Sequence, residues 1–148
     1  MESNCTDFSI PIRVYIEDTD AGGIVFYVNY LKFMERARTE LMRHLGFQHY
    51  ALAEEQYQFV VHSANVRYRS PARIDDELLS TAKIIKLANT YILFSQQVIL
   101  ANDGKVLCEG EIKVACVDSV TFKPRAMDQE LKTVFKRAYD SEYLSPSK

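Results

Sequence analysis

Phe8, Ile10, Ile12, Val14 and Ile16 alternate with Ser9, Pro11, Arg13, Tyr15 and Glu17. A period of two predicts a half-buried strand, and Pro11, which has no N–H to give to a ladder, predicts an edge or a strand start. From Tyr30 the period changes. Tyr30, Met34, Ala37, Leu41 and Leu45 recur at steps of three or four, while Lys32, Glu35, Arg36, Arg38, Glu40 and Arg43 fill much of the rest. That pattern predicts an amphipathic helix. Asn29 is the candidate N-cap, with a start one or two residues earlier as the alternative, and Gly46 supplies the C′ stop. At ~1.5 Å per residue, such a helix is about 25 Å long, enough to cross a small sheet.

Strand-like runs dominate the chain beyond this helix. Tyr50 to Tyr57 reads as helical or irregular. Phe59 to Arg69 alternates weakly and is broken by Ser70-Pro71-Ala72; Leu78 to Leu87 and Thr90 to Leu100 come next. Asn102-Asp103-Gly104 is a hairpin signal. Val106 to Val117 then returns with Val106, Cys108, Ile112, Val114 and Cys116 on one face, where Gly110 marks a bulge or a close approach. Pro124 ends the sheet region, and Met127 to Tyr139 reads as a second helix with Leu131, Val134, Phe135 and Ala138 apolar. The order is a strand, a long helix and then about four antiparallel strands. It predicts an α+β domain whose sheet curls around one helix.

Length and composition narrow the function classes. The 148 residues, 47% apolar and 26% charged, predict one domain over 1–148 with a sizeable core, and frayed tails at 1–7 and 144–148. A net charge of −2 gives no reason to expect nucleic acid as the main partner. No apolar run reaches the ~18 residues of a membrane span, and Met1 to Asp7 carries no basic, apolar leader. Cys5, Cys108 and Cys116 are odd in number, lack metal-like spacing and fit a reducing cytoplasm.

The chemistry concentrates where strand meets helix. Glu17-Asp18-Thr19-Asp20-Ala21-Gly22-Gly23 packs carboxylates and two glycines into the turn before the long helix. A helix N-terminus offers N–H groups and a dipole that hold developing negative charge, so an acid beside it suits chemistry on a carbonyl. Plain turn chemistry, with Asp capping backbone N–H groups, explains the same residues. A calcium loop fails: with Asp18 at position 1, Gly22 falls at position 5 and Asn29 at position 12. No G-x-S-x-G run is present for a nucleophilic serine. Cys108 and Cys116 sit at apolar-face positions, and His44, His49 and His62 each read as structural or surface residues. What survives is a carboxylate acting beside a helix N-terminus.

The run Asp18-Thr19-Asp20-Ala21-Gly22-Gly23-Ile24-Val25, then Tyr27, Asn29-Tyr30 and Glu35-Arg36-Ala37-Arg38, resembles the 4-hydroxybenzoyl-CoA thioesterase family. Within it the chain is most similar to the bacterial acyl-CoA thioesterases associated with the Tol-Pal system. Arg67-Tyr68-Arg69-Ser70-Pro71-Ala72-Arg73-Ile74-Asp75-Asp76 and Cys116-Val117-Asp118, followed by Lys123-Pro124-Arg125, extend the resemblance over roughly residues 10 to 140. It implies the hotdog fold, a long central helix wrapped by a curved antiparallel sheet. It also implies homo-oligomers, tetramers built from dimers, with active sites at subunit interfaces. The implied reaction is hydrolysis of an acyl-CoA thioester to free acid and coenzyme A, without metal or organic cofactor. An acyl-carrier protein is the alternative carrier, and a non-catalytic acyl-CoA or acyl-carrier-protein binding module on the same fold is the alternative function.

Matched position by position, the family's catalytic aspartate falls on Asp20, as nucleophile or general base. Asp18 takes a neighbouring position that varies in chemistry. Tyr27 falls where the family uses a backbone N–H to polarise the thioester carbonyl. The Tol-Pal branch has His at that position, whereas Tyr belongs to the 4-hydroxybenzoyl-CoA branch. The Arg-Arg-Lys cluster that some relatives use for the nucleotide phosphates is absent around Leu87-Ala88-Asn89-Thr90. Arg67, Arg69 and Arg73, a basic run without acid between them, are the candidate phosphate patch, with a solvated strand face as the equal alternative.

Overall fold

A computed structural model of the chain describes residues 8–46 and 57–140. The elements are β1 (Phe8–Arg13), α1 (Asn29–His44), β2 (Tyr57–Tyr68), β3 (Glu77–Leu87), β4 (Tyr91–Leu100), β5 (Val106–Asp118) and α2 (Gln129–Asp140). The strands form one sheet in the order β1-β3-β4-β5-β2, with every neighbouring pair antiparallel. This is the α+β class that the periodicities predict. The expected frayed tails, and most of the segment from Tyr50 to Tyr57, lie outside the described residues.

β1 is an edge strand, so Pro11 removes no ladder bond that a neighbour needs on its open side. The alternation ends sooner than the sequence pattern predicts. Val14 is fully buried, but Ile16 lies in a 3₁₀ turn at Ile16–Asp18 and is 75% exposed. The cause is local: the Asp18 carboxylate accepts the Tyr15 N–H (Oδ2, 2.9 Å) and closes the turn against continuation of the strand.

α1 buries Tyr30, Phe33, Met34, Ala37, Leu41 and Met42 against the sheet, chiefly over β1, β3 and β4. Two polar readings are corrected. Asn29 does not cap the helix with its side chain; Val28 occupies the cap position, and Asn29 Nδ2 donates instead to the Asp18 carbonyl at 2.8 Å. Arg38 is on the buried stripe, not the solvated face: one guanidinium nitrogen donates to Gln96 Oε1 at 2.9 Å. Gln96 in turn donates to the carbonyls of Met34 and Thr81, and Ser80 Oγ donates to the Phe33 carbonyl. These buried bonds pin the first half of α1 to the middle of the sheet. Gly46 ends the helix at φ +105°.

The Asn102-Asp103-Gly104 signal is a hairpin turn, with Gly104 at φ +76° and its N–H on the Leu100 carbonyl. On β5, Cys108, Ile112, Val114 and Cys116 share a buried face, while Val106 is only half-buried and Leu107 is buried, because the β4–β5 register shifts between Val98 and Ile99. Gly110 marks a close approach, with no register shift at its position. A Cβ there would sit 3.1 Å from both the Asn65 carbonyl oxygen and Val66 Cγ2. The carbonyl is held in the sheet and cannot yield. Gly110→Ala is therefore expected to cost about 1 kcal/mol, a Tm lower by roughly 2–4 °C in a thermal melt.

From α2, Leu131, Phe135 and Ala138 complete the core, with the Phe135 ring edge-on to Phe59 at 6.1 Å. Among the described residues no helix is long and apolar enough to cross a membrane.

Candidate active site

The loop between β1 and α1 is a tight double-back. Thr19 bridges Val25, and Ile24 bridges Arg73 on the chain leading to β3. Inside it the Asp20 N–H donates to the Ile24 carbonyl, and Gly23, at φ +79°, returns its N–H to the Asp20 carbonyl. Only glycine takes that φ without strain.

The two aspartates are used differently. Asp18 is half-buried; its carboxylate closes the 3₁₀ turn, and its carbonyl accepts from both Phe26 N–H and Asn29 Nδ2. Asp20 is exposed, and among the described residues only its Oδ1 is engaged, by the Gly22 N–H at 2.9 Å. Asp18 builds the loop. Asp20 leaves a carboxylate oxygen open.

At the start of α1 the N–H groups of Asn29, Tyr30 and Leu31 donate to the carbonyls of Phe26, Tyr27 and Val28. The N–H groups of Tyr27 and Val28 donate to no acceptor among the described residues. They are the orphan donors of a helix of 16 residues, at its positive end. The Tyr27 amide is the donor that the resemblance picks out; the Val28 amide is the one that sequence reasoning missed. A first helical residue at Asn29 was the available signal, since every helix start leaves such donors.

The Tyr27 ring is 58% exposed and lies 5.8 Å edge-on from Tyr68, whose ring is 5.7 Å from Tyr30. Tyr30 is buried, and its hydroxyl accepts the Ala72 N–H at 2.9 Å. Burial holds the phenols of Tyr30 and Tyr68 above their ordinary range, so both stay neutral. The rings wall a cleft of about 240 Å³ together with Ile24, Arg69 and Pro71. Asp20 does not line this cleft; its turn reaches it through Ile24 and Val25.

The three arginines part company. Arg69 lines the cleft and is ion-paired with Glu109. Arg73 is exposed beside the Asp20 loop through its bridge to Ile24, and its guanidinium makes no ion pair among the described residues. Arg67 stands opposite Glu109 on β5 and borders a separate polar recess with Glu109 and Glu111. The basic run that carries no acid in sequence thus meets acid across the sheet.

Other chemistries find less support. Burial pushes the Cys108 thiol up to about 12 and raises that of Cys116, so neither supplies a thiolate near neutral pH. His44 packs its ring on Phe8, His62 is exposed on β2, and His49 lies outside the described residues. Among the described residues no group of three or more His, Cys, Asp or Glu is placed to hold a metal ion.

A long helix over a five-stranded antiparallel sheet is the hotdog arrangement. The chain belongs to the thioesterase-like superfamily, whose family model matches residues 14–135. It is 43% identical over 134 residues to the acyl-CoA thioester hydrolase YbgC of Escherichia coli O6:H1, covering 90% of this chain and 99% of that one. It is also 43% identical over 129 residues to the acyl-CoA thioesterase YbgC of Haemophilus influenzae, covering 86% and 93%. In fold, it superposes on a DHNA-CoA thioesterase from Staphylococcus aureus with a TM-score of 0.80 at 19% identity, over 87% of this chain and 88% of that one.

Proposed function

We propose that the chain is an acyl-CoA thioesterase that hydrolyses R–CO–S–CoA with water to R–COOH and HS–CoA, using Asp20 and the helix-start N–H groups. The observation that carries this reading is the pairing of an exposed, half-engaged Asp20 carboxylate with the two orphan donors of Tyr27 and Val28. The carbonyl oxygen sits on those donors, which stabilise the oxyanion as the tetrahedral centre forms. Asp20 either attacks the carbonyl carbon, expelling the thiolate and leaving a mixed anhydride that water opens, or takes a proton from the attacking water. The coenzyme's phosphates lie toward Arg69 and Arg73, with Arg67 the more distant contact. No metal or organic cofactor takes part.

A thiol-release assay over acyl-CoAs of increasing length tests this, with an acyl-carrier-protein thioester run beside them. Release well above the uncatalysed rate from acyl-CoA is expected; none from any acyl-CoA contradicts the proposal.

The enzyme works as a homo-oligomer in the cytoplasm, dimers associating into tetramers. β2 supports this: it is a 12-residue edge strand, exposed through its middle, with Val61 53% exposed. β1, the other edge, is half as long and carries Pro11. A long open edge offers a second copy a row of N–H and C=O groups, whereas a short, proline-bearing one resists pairing. Light scattering is expected to give two or four times the 17.0 kDa of the chain. A monomer at micromolar concentration contradicts both the oligomer and a site shared between subunits. The free, buried Cys108 and Cys116 are consistent with a reducing compartment.

A further inference from the structure

The carboxylate and the orphan donors sit on different pieces of backbone, one in the turn before α1 and the other at the helix start. Among the described residues Asp20 makes no hydrogen bond to α1. Its N–H, carbonyl and Oδ1 are all spent inside the turn, on Ile24, Gly23 and Gly22. The distance from carboxylate to donors is therefore fixed by other residues.

The first two residues after the donors are built to fix it. Cα–Cβ bonds in a helix tilt toward its N-terminus, so side chains of the first turn reach back over the segment before it. Asn29, buried, places Nδ2 2.8 Å from the Asp18 carbonyl, on the entry side of the turn. That carbonyl already accepts the Phe26 N–H at 3.0 Å, so Asn29 adds a second tie where one bond would satisfy the group. Tyr30, also buried, accepts the Ala72 N–H on its hydroxyl at 2.9 Å. The Ala72 carbonyl accepts the Val25 N–H at 2.8 Å, on the exit side. Beyond it, Arg73 bridges Ile24, and the Ile74 N–H donates to the Gly23 carbonyl at 3.2 Å. The Asp20 turn hangs between these two ties.

We infer that Asn29 and Tyr30 are positioning residues for thioester cleavage: together they set the place of the Asp20 carboxylate relative to the Tyr27 and Val28 donors. They act through Asp18 and Ala72. The assignment rests on the thioesterase reading and deepens it. Such ties matter because a reacting group misplaced by ~1 Å costs ~10²-fold in rate.

The test compares Asn29→Ala and Tyr30→Phe with Ser80→Ala as a matched control. Tyr30→Phe keeps the ring that lines the cleft and deletes only the acceptor of the Ala72 N–H. Ser80→Ala also deletes a buried side-chain bond to α1, from Ser80 Oγ to the Phe33 carbonyl, but touches neither tie. All three should melt lower by a few degrees. Single-turnover thiol release should slow ~10-fold in Asn29→Ala and in Tyr30→Phe, and stay within about twofold of wild type in Ser80→Ala. Calorimetric affinity for a hexyl-CoA thioether, which cannot be hydrolysed, should stay within about twofold in all of them, placing the loss in the chemical step. Wild-type rates in both tie variants overturn the assignment. So does a weaker thioether affinity that accounts for the whole loss, or an equal loss in Ser80→Ala. Asn29→Ala carries the test alone if Tyr30→Phe does not fold.

Hydrogen exchange reads the ties without turnover. The Asp20, Gly23 and Val25 amides should exchange ~10-fold faster in the two tie variants and unchanged in Ser80→Ala. A wild type that releases no thiol, with this exchange pattern present, supports the ties and overturns only the hydrolase reading. Exchange that ignores Asn29→Ala and Tyr30→Phe overturns the ties.

Discussion

Asp20→Asn is expected to lower kcat/KM for acyl-CoA hydrolysis by ~10³-fold or more, since a nucleophile or general base loses its charge while its volume stays. The fold should survive. Asparagine keeps an Oδ1 for the Gly22 N–H, the one hydrogen bond the carboxylate makes among the described residues, and the side chain is exposed. Asp18→Asn should cost only a few-fold, because the amide oxygen still accepts the Tyr15 N–H and the Asp18 carbonyl bonds to Phe26 and Asn29 are backbone in origin. Steady-state thiol release, with a melt for each variant, separates the two. If the Asp18 variant proves the more damaged in kcat while both melt like the wild type, the roles given to the two aspartates are reversed.

Tyr27→Pro should lower kcat by ~10²–10³-fold, the scale seen when one oxyanion donor is removed from an acyl-transfer site. The Tyr27 N–H makes no hydrogen bond among the described residues, so proline deletes a donor without breaking a structural bond. Proline is also tolerated just ahead of a helix, where N–H groups have no partner within it. Tyr27→Phe keeps the amide and the ring against Tyr68, and should hold kcat within about threefold if the backbone donor does the polarising. Circular dichroism on the proline variant must match the wild type. A collapse of activity in Tyr27→Phe transfers the role to the hydroxyl.

Strands and helices were legible because each reports its burial through a local period. The alternation of Phe8 to Val14 and the stripe of Tyr30, Met34, Ala37 and Leu41 are one-dimensional records of one buried face. Ile16 escaped because a side-chain bond from Asp18, two residues on, outweighed its place in the alternation. Arg38 escaped for a different reason. It reads as surface by residue type, and only the fold brings Gln96, 58 positions away, to its guanidinium.

The candidate site was legible as a contiguous stretch. The turn, its acid and its neighbouring helix start are contiguous, so Asp20 and Tyr27 could be placed from a short stretch together with a family resemblance. Choosing Asp20 over Asp18 from residues alone was out of reach, since both are turn aspartates until their hydrogen bonds are known. The pairing of Arg69 with Glu109 spans 40 positions, and a β-bulge at His62 depends on the register of β2 against β5. Both belong to the sheet and leave no local trace.

The central claim, that Asp20 beside the Tyr27 and Val28 amides cleaves an acyl-CoA thioester, is tested most directly by single-turnover thiol release. Enzyme in excess over acyl-CoA removes product release from the measured rate and isolates the chemical step. The wild type is predicted to release the whole coenzyme A content in one fast phase, and Asp20→Asn, at the same bound fraction, to release it ~10³-fold more slowly or not at all. Equal single-turnover rates in the two proteins would contradict the account.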